Sequence, residues 1–167
     1  GPKFGIKGLR KIMRLKKRPP LGAIVKPKVG LNPKEYAEAS YSSWDGGLDI
    51  VRDDENLTSM KFNKFDDRVK ENMRMRDKSE LETGERKLYI PNVTAETNEM
   101  IRRAKLVKEL GGESVMVDML TVGWSGLQTL RESDIGVTIH GHYTMDGSTE
   151  DINNGVSMMA IAKTARL

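Results

Sequence analysis

The stretch GGLDIVRDDENLTS, residues 46–59, ends a short apolar run with three consecutive acids and places an arginine directly before them. The acids are Asp53, Asp54 and Glu55, and the arginine is Arg52. Two glycines followed by apolar residues are typical of a buried strand that begins after a turn. A single charged strand end usually has the plain explanation that water solvates it. The other segments of the chain decide whether that explanation is sufficient here.

The chain repeats the pattern of a short apolar strand followed by a helix. The predicted strands lie in residues 21–30, 48–55, 87–95, 113–120 and 135–143. The predicted helices that follow them lie in residues 32–47, 66–83, 97–112, 125–133 and 155–167. Asn32 is the expected N-cap of the first of these helices, Pro33 its first helical residue, and Gly84 the stop of the second. Five successive units of this kind predict a parallel sheet with right-handed crossovers.

Two α/β architectures are compatible with this repeat, the doubly wound sheet and the TIM (β/α)₈ barrel. The turn KPKVGLNP, residues 26–33, lacks the G-x-G-x-x-G pattern that a dinucleotide-binding sheet would place before its first helix. Every predicted strand instead ends in polar residues: Lys26 and Lys28, Asp54 and Glu55, Asn92, Asp118, and His140 with His142. Barrel enzymes collect their reactive groups at the carboxyl ends of the strands. The sequence therefore predicts a partial barrel of about five βα units, with all five groups at one mouth.

Composition limits the class of protein. The chain has 167 residues, 37% of them hydrophobic, and no cysteine, which predicts one globular domain without disulfides in a reducing cytoplasm. No apolar run is long enough for a membrane span, and no secretory leader is recognisable. Because the first residue is Gly1 and not Met, we expect residues 1–167 to be part of a longer chain.

The net charge of +4 is concentrated near the start, in KFGIKGLRKIMRLKKRPP, residues 3–20. The spacing of its apolar residues predicts an amphipathic helix that Pro19 and Pro20 end. A basic face of this kind can contact nucleic acid or another anionic surface. No aromatic stacking platform or nucleic-acid-binding motif accompanies the charges, so we favour a solvated basic face and predict no nucleic-acid partner.

The strand ends offer the ligands and bases of a metal-assisted proton abstraction. Asp54 and Glu55 are carboxylates of the kind that Mg²⁺ prefers, and Mg²⁺ leaves coordination positions for substrate oxygens. A lysine near such a site can hold an anionic substrate group or, if its pKa is lowered, act as a base. These residues predict proton abstraction next to the carbonyl of a phosphorylated, sugar-like substrate.

Five segments, in this order, resemble the large subunit of ribulose-1,5-bisphosphate carboxylase/oxygenase (RuBisCO). They are IVKPKVGL (24–31), GGLDIVRDDENLTS (46–59), NVTAET (92–97), VMVDMLTVGWSGLQTL (115–130) and IHGHYTMDG (139–147). The segments VGWSGLQ and IHGH look most like the archaeal type. The resemblance covers essentially all of residues 1–167, but only the central part of that subunit, without its N-terminal domain and its last barrel strands.

The resemblance implies a role for each strand end. Lys26 matches the base of enolisation, Lys28 the lysine that assists at the reacting carbons, and His142 a proton acceptor. Asp54 and Glu55 match two carboxylate ligands of Mg²⁺. Asn92 and Asp118 fall in segments that line the substrate site, in supporting positions, and His140 is more typical of a hydrogen-bonded wall. The implied partners are ribulose-1,5-bisphosphate, CO₂ or O₂, and further copies of the intact chain in a homo-oligomer.

The sequence departs from the family at two site positions. Arg52 stands where the family has a lysine that becomes a carbamate and the third metal ligand, and a guanidinium forms no comparable carbamate. Tyr143 stands where an arginine usually holds a substrate phosphate, and Asp146 where a further histidine is common. We expect Arg52 to pair with the carboxylate of Asp54 and to cap the metal site; the alternative is that it pairs with an exposed Asp53.

Three functions fit this combination. The first is a RuBisCO large-chain fragment, a lyase that adds CO₂ (or O₂, as a monooxygenase) to ribulose bisphosphate and is inactive as the isolated fragment. The second is a RuBisCO-like enolase or isomerase on another phosphorylated sugar, which Arg52 and Tyr143 favour over a strict form of the first. The third is a non-catalytic descendant that uses its basic helix and barrel surface for binding, which the retained lysines, acids and histidine disfavour.

Overall fold

A computed structural model of the chain describes residues 1–144, 147 and 155–167. The strands among these residues are β1 (Gly22–Ile24), β2 (Ile50–Arg52), β3 (Leu88–Ile90), β4 (Ser114–Asp118) and β5 (Thr138–His142). The helices are α1 (Gly5–Met13), α2 (Pro33–Asp45), α3 (Phe65–Thr83), α4 (Thr97–Glu109), α5 (Met119–Glu132) and α6 (Met158–Ala165). Each of the strands β1 to β5 is followed by a helix, as the sequence pattern predicts.

The strands pair in parallel and in the order of the sequence. β1 pairs with β2, β2 with β3, and β4 with β5. A parallel bridge between Asn92 and Met116 joins the two groups of strands, with the amide of Met116 donating to the carbonyl of Pro91 at 2.8 Å. The prediction of an α/β fold with successive parallel strands is confirmed.

The outer face of the sheet, against which α2 to α5 pack, holds the larger core. Val51, Tyr89, Val115 and Val117 point to this face from β2, β3 and β4, and all four are fully buried. Trp44, Val69, Ala104 and Leu130 meet them from the helices.

The inner face carries the alternate residues of the same strands, which α1 covers at one end. Leu88, Ile90 and Met116 form a second buried cluster with Met13 of α1. A groove of about 980 Å³ continues along this face beside β5, α5 and α6. Because side chains alternate along a strand, the residues at even positions of β2 to β4 all reach this face.

Local signals account for the ends of the helices. The Asn32 side chain accepts hydrogen bonds from the amides of Lys34 and Glu35, and Glu35 accepts one from the Asn32 amide, which completes a capping box. Gly84 ends α3 at a φ of 69°, a left-handed conformation that glycine adopts without a steric penalty. Both boundaries agree with the sequence prediction.

Three sequence predictions need correction. α1 ends at Met13, before Pro19 and Pro20, because Arg14 takes a left-handed conformation with a φ of 54°. β1 is not buried, since it lies at the edge of the described sheet and Gly22 is exposed. α5 begins at Met119, six residues before the predicted start, and the non-helical Gly123, with a φ of 73°, separates this added turn from the predicted helix.

Within the described part of the chain, none of the helices is both long and apolar enough to cross a membrane.

Candidate active site

The polar strand ends meet at one edge of the sheet and form a connected set of contacts. Lys26 donates a hydrogen bond to Asp54, which joins the ends of β1 and β2. Glu55 Oε2 lies 3.9 Å from His142 Nε2, and His142 Nδ1 lies 3.4 Å from Asp118 Oδ1, which joins β2, β5 and β4. The structure therefore brings these predicted site residues together at the carboxyl ends of parallel strands.

Asp54 is buried and ion-paired. Its carboxylate accepts hydrogen bonds from Lys26 Nζ and, at 2.9 Å, from the Asn56 amide, and Lys28 Nζ lies 3.9 Å away. Burial opposes the charge of this carboxyl, but the hydrogen bond from Lys26, the Asn56 amide and the charges of the two lysines outweigh it, so the pKa of Asp54 is lowered. Asp54 is thus already paired with a cationic side chain of the protein, Lys26.

Arg52 points to the same face as Asp54, as predicted, but the predicted pairing between the two is wrong. Arg52 Nη1 lies 3.6 Å from Glu55 Oε2 and donates to the carbonyl of Asp53 at 3.1 Å. It also donates to the sulfur of Met116 at 3.2 Å. The lysine contacts and the Asn56 amide occupy the carboxylate of Asp54, so Glu55 is the acid that remains for Arg52.

Asp53 lies on the outer face and is fully buried, so the alternative pairing of Arg52 with an exposed Asp53 is also wrong. Its carboxylate accepts hydrogen bonds from Tyr36 Oη at 3.0 Å, Tyr89 Oη at 2.6 Å and the Asn92 amide at 2.9 Å. Arg68 of α3 donates to it through Nε and Nη2, at 3.2 and 3.1 Å. The middle acid of the three therefore anchors the strand to the helices.

The Asp53 carboxylate shifts the pKa of its three buried partners, Tyr36, Tyr89 and Arg68. Burial raises the pKa of Tyr36 and of Tyr89, and the Asp53 carboxylate raises both further. Burial opposes the charge of Arg68, but the Asp53 carboxylate keeps the pKa of that guanidinium above its usual value. Both phenols stay protonated and donate to Asp53. Sequence reasoning missed Tyr36, Arg68 and Tyr89.

Asn92 is buried, and its side chain forms hydrogen bonds with backbone groups near the mouth. Its Nδ2 donates to the carbonyl of Glu55 at 2.8 Å and lies 3.4 Å from that of Asp54. Its Oδ1 accepts hydrogen bonds from the amide and the hydroxyl of Thr94. The side chain of Asn92 therefore fixes the position of the two acids, and its predicted substrate contact stays a prediction.

His142 lies between the acids of β2 and β4. Thr144 Oγ1 lies 3.0 Å from His142 Nδ1 and donates to Asp118 Oδ1 at 2.7 Å. The exposed ring of Tyr143 stacks beside that of His142, with centroids 5.8 Å apart. Sequence reasoning missed Thr144, although its position two residues after His142 on an extended chain places it on the same face. Asp146 lies outside the described residues.

His140 precedes His142 by two residues on β5, so its side chain points to the same face, and it is the more exposed of the two histidines. Their ring centroids are 6.5 Å apart, and His140 lines the groove. Desolvation there, followed by the charges of Arg52 and His142, lowers the pKa of His140. The role of His140 as a hydrogen-bonded wall stays a prediction.

The residues at the mouth do not fit a Mg²⁺ site of the kind the resemblance implies. Asp54 is held by Lys26 and Glu55 faces Arg52, the residue at the position where the resemblance implies a third anionic ligand. Among residues 1–144, 147 and 155–167, no three histidine, aspartate or glutamate side chains are grouped closely enough to hold a metal ion.

Parallel βα units with charged residues at one mouth define a barrel of the enzyme type, and the comparisons with known proteins give its family. Residues 5–167 match the family described as ribulose bisphosphate carboxylase large chain, catalytic domain. The chain is 52% identical over 168 residues to the ribulose bisphosphate carboxylase of Methanocaldococcus jannaschii, covering 100% of this chain and 40% of that protein. The chain belongs to the RuBisCO large-chain family.

Solved structures agree with this assignment and confirm the partial barrel. The octameric RuBisCO of Pyrococcus horikoshii superposes with a TM-score of 0.96 at 46% identity, covering 99% of this chain and 40% of that chain. A rubisco-like protein from Burkholderia fungorum superposes with a TM-score of 0.94 at 29% identity, covering 99% and 41%. The chain thus spans about 40% of the length of the relatives it matches.

Proposed function

We propose that the complete protein is a ribulose bisphosphate carboxylase-type enzyme and that this chain carries the proton abstraction with which its reaction begins. The observation that supports this most directly is the pairing of Lys26 with Asp54 beside Arg52 and Glu55, at the mouth of a barrel. Such a mouth combines a candidate base with cationic groups for a phosphorylated substrate and for the oxyanion that proton loss creates.

Lys26 is the proposed base. Its side chain is 58% exposed, so it can leave Asp54 and turn toward a bound substrate. Once it has released its own proton, its amine takes the proton from the carbon next to the carbonyl. The electron pair of that C–H bond forms a C=C bond, and the carbonyl oxygen becomes an enediolate oxyanion. Lys28, also half-exposed, is placed to hold the anionic end of the substrate.

His142 is the proposed acceptor of the hydroxyl proton of the enediol. Asp118 lies 3.4 Å from its Nδ1, so a protonated ring would face a carboxylate. The stacked ring of Tyr143 limits the ring orientations that His142 can adopt and presents a phenol at the exposed mouth, where one hydrogen bond can reach a phosphate oxygen.

The continuation of the reaction is the addition of CO₂, or of O₂ as the oxygenase side reaction, to the enediolate carbon. The ribulose bisphosphate carboxylases among the relatives support this continuation, which makes the enzyme a lyase. Mg²⁺ is the cofactor that the family resemblance implies. It could bind to Asp54 and Glu55 only if these acids released Lys26 and Arg52, so it stays a prediction.

A second candidate stops at the enolisation and returns the proton elsewhere, as an enolase or isomerase acting on another phosphorylated sugar. Arg52 favours it, because a guanidinium cannot supply the carbamate that the family resemblance assigns to this position. A protein described as rubisco-like, from Burkholderia fungorum, has the same fold as this chain.

We also propose that the intact protein is a cytoplasmic homo-oligomer. The octameric RuBisCO of Pyrococcus horikoshii supports the assembly. Size-exclusion chromatography with light scattering of the full-length protein tests this, and a monomer would refute it.

The test of the function is solvent exchange of the substrate proton. Full-length protein with ribulose bisphosphate in D₂O should incorporate deuterium next to the carbonyl, and Lys26→Met should abolish this while circular dichroism stays unchanged. Lys34→Met, at an exposed position of α2, is the matched control and should exchange like the parent. Exchange that persists in Lys26→Met refutes the role of this base.

Labelled CO₂ separates the two candidates. Incorporation that depends on ribulose bisphosphate supports the carboxylase, whereas exchange without incorporation supports the enolase or isomerase. The isolated 167-residue chain should fix no CO₂, because it lacks the rest of the barrel mouth that the longer relatives have.

A further inference from the structure

The mouth contains its own fixed cation in the place that the family resemblance gives to an anionic metal ligand. Arg52 is held by the carbonyl of Asp53 and the sulfur of Met116, and its side chain is only 18% exposed. An arginine guanidinium in a protein is cationic. Arg52 therefore contributes a permanent, positioned positive charge, and not a mobile surface charge.

The charges around Arg52 are already balanced without an added ion. Lys26 and Lys28 face Asp54, and Arg52 faces Glu55. The remaining acid, Asp118, accepts a hydrogen bond from the hydroxyl of Thr144 and lies beside His142. A divalent cation at Asp54 and Glu55 would lie next to three cationic side chains. Coulomb repulsion in a partly buried site would strongly disfavour that arrangement.

Arg52 also retains hydrogen-bond donors for a ligand. Among the described residues, all its hydrogen bonds and its contact with Glu55 involve Nη1. A guanidinium has five N–H donors in a planar fork, so Nε and Nη2, which bond to none of the described residues, are available to a ligand oxyanion. This donor set is suited to an enediolate oxygen, which carries the charge that the carbonyl gains when the substrate loses its proton.

We infer that this site stabilises the enediolate of a phosphorylated ketose with the guanidinium of Arg52, and that it works without a divalent metal. The inference rests on the proposed enolisation and adds the identity of its electrophile. Lys26 takes the carbon-bound proton, the electron pair moves into the C=C bond, and the resulting oxyanion pairs with Arg52. No further reactant is needed for this step.

The first arm of the test measures metal binding directly. Isothermal titration of the full-length protein with MgCl₂, and electron paramagnetic resonance with Mn²⁺, should detect no saturable site in the parent, with or without bicarbonate. Arg52→Lys should bind the metal at least roughly tenfold more tightly, and in a bicarbonate-dependent manner. Arg102→Lys, at an exposed position of α4 that pairs with Asp66, should behave like the parent. Parent protein that binds Mg²⁺ as tightly as Arg52→Lys overturns the inference.

The second arm measures deuterium exchange into ribulose bisphosphate in the presence of EDTA. The parent should exchange at the same rate with EDTA as with Mg²⁺, and Arg52→Gln should lose exchange in both conditions. Exchange by the parent that EDTA abolishes overturns the inference even if Arg52→Gln fails to fold. If no variant exchanges under any condition, the proposed enolisation fails, and metal binding by the parent in the first arm still decides whether Arg52 replaces the metal.

Discussion

The two faces of the sheet differ in how completely the chain covers them. On the outer face, α2 to α5 bury an apolar cluster together with the ionised pair Asp53 and Arg68, each of which has a fully buried side chain. On the inner face, α1 covers a smaller cluster, and the rest opens into a groove that His140, two residues before His142, lines. This contrast assigns most of the stability to the outer face and the chemistry to the inner one, and four predictions test that division.

The largest effect should come from Arg68→Met. Removing this guanidinium leaves the Asp53 carboxylate buried without a countercharge, which costs about 3–5 kcal/mol when a buried pair is broken. Chemical denaturation followed by circular dichroism measures the loss. Arg74→Met is the matched control on α3, where an exposed pair with Glu71 should contribute less than about 1 kcal/mol. Equal losses in the two variants would remove the special role of the outer face.

Three leucine-to-alanine variants compare the two faces with one chemical change. Leu130→Ala, in the outer core, should cost about 2–5 kcal/mol. Leu9→Ala removes a half-buried side chain through which α1 packs on the inner cluster, and it should lower the free energy of unfolding by about 1 kcal/mol. Leu81→Ala, on the exposed side of α3, should change the free energy of unfolding by less than about 0.5 kcal/mol. The division fails if Leu9→Ala proves as costly as Leu130→Ala.

Asn92→Ala tests the link between the faces, because this residue touches both. It donates its backbone amide to Asp53 and its side chain to the carbonyl of Glu55. Loss of the side chain leaves buried polar groups unpaired, at about 1–3 kcal/mol, and should shift the NMR signals of the His142 ring. Asn98→Ala, at an exposed position of α4, should do neither. An unchanged His142 spectrum in Asn92→Ala would show that the mouth does not depend on this anchor.

The smallest effect concerns the attachment of the segment after α1. Arg18 donates two hydrogen bonds to Asp49, at 2.5 and 2.7 Å, and the hydrogen bond from Arg18 is the main cause of the lowered pKa of Asp49. Because this pKa is lower in the folded state, the contribution of the pair is complete above the unfolded value, about 3.9, and is lost as the pH falls through the folded value.

Hydrogen exchange of the α1 amides should therefore accelerate below about pH 4, relative to α3, after correction for the intrinsic rate. Asp49→Asn should show the faster exchange already at neutral pH and no further change on acidification. The same acid response in parent and variant would exclude this pair as the attachment.

Sequence alone predicted the features that depend on neighbouring residues. The Asn32 cap, the Gly84 stop and the parallel strand order follow from short-range patterns and from the βα repeat. The convergence of Lys26, Asp54, Glu55 and His142 followed from the same repeat, since all carboxyl ends of parallel strands share one edge.

The pairings at the mouth could not be predicted, because they depend on competition between distant segments. Lys26, which follows β1, pairs with Asp54, and Arg52 therefore contacts Glu55. The burial of Asp53 could have been predicted. Side chains alternate along an extended chain, so Asp53 points to the face opposite to that of Arg52 and Asp54. The pairing of Asp53 with Arg68 could not have been predicted, because nothing in the neighbouring sequence distinguishes Arg68 from the other arginines of α3.

The sequential order of the strands has a consequence for synthesis on the ribosome. Each described strand after β1 pairs with one made earlier, so no later unit has to wait for a distant segment before it docks. Nascent chains stalled with residues 1–96 outside the ribosome should already protect α2 from protease, which pulse proteolysis can measure. On this route Lys26 is in position when Asp54 emerges, and the buried carboxylate meets its countercharge as soon as the tunnel releases it.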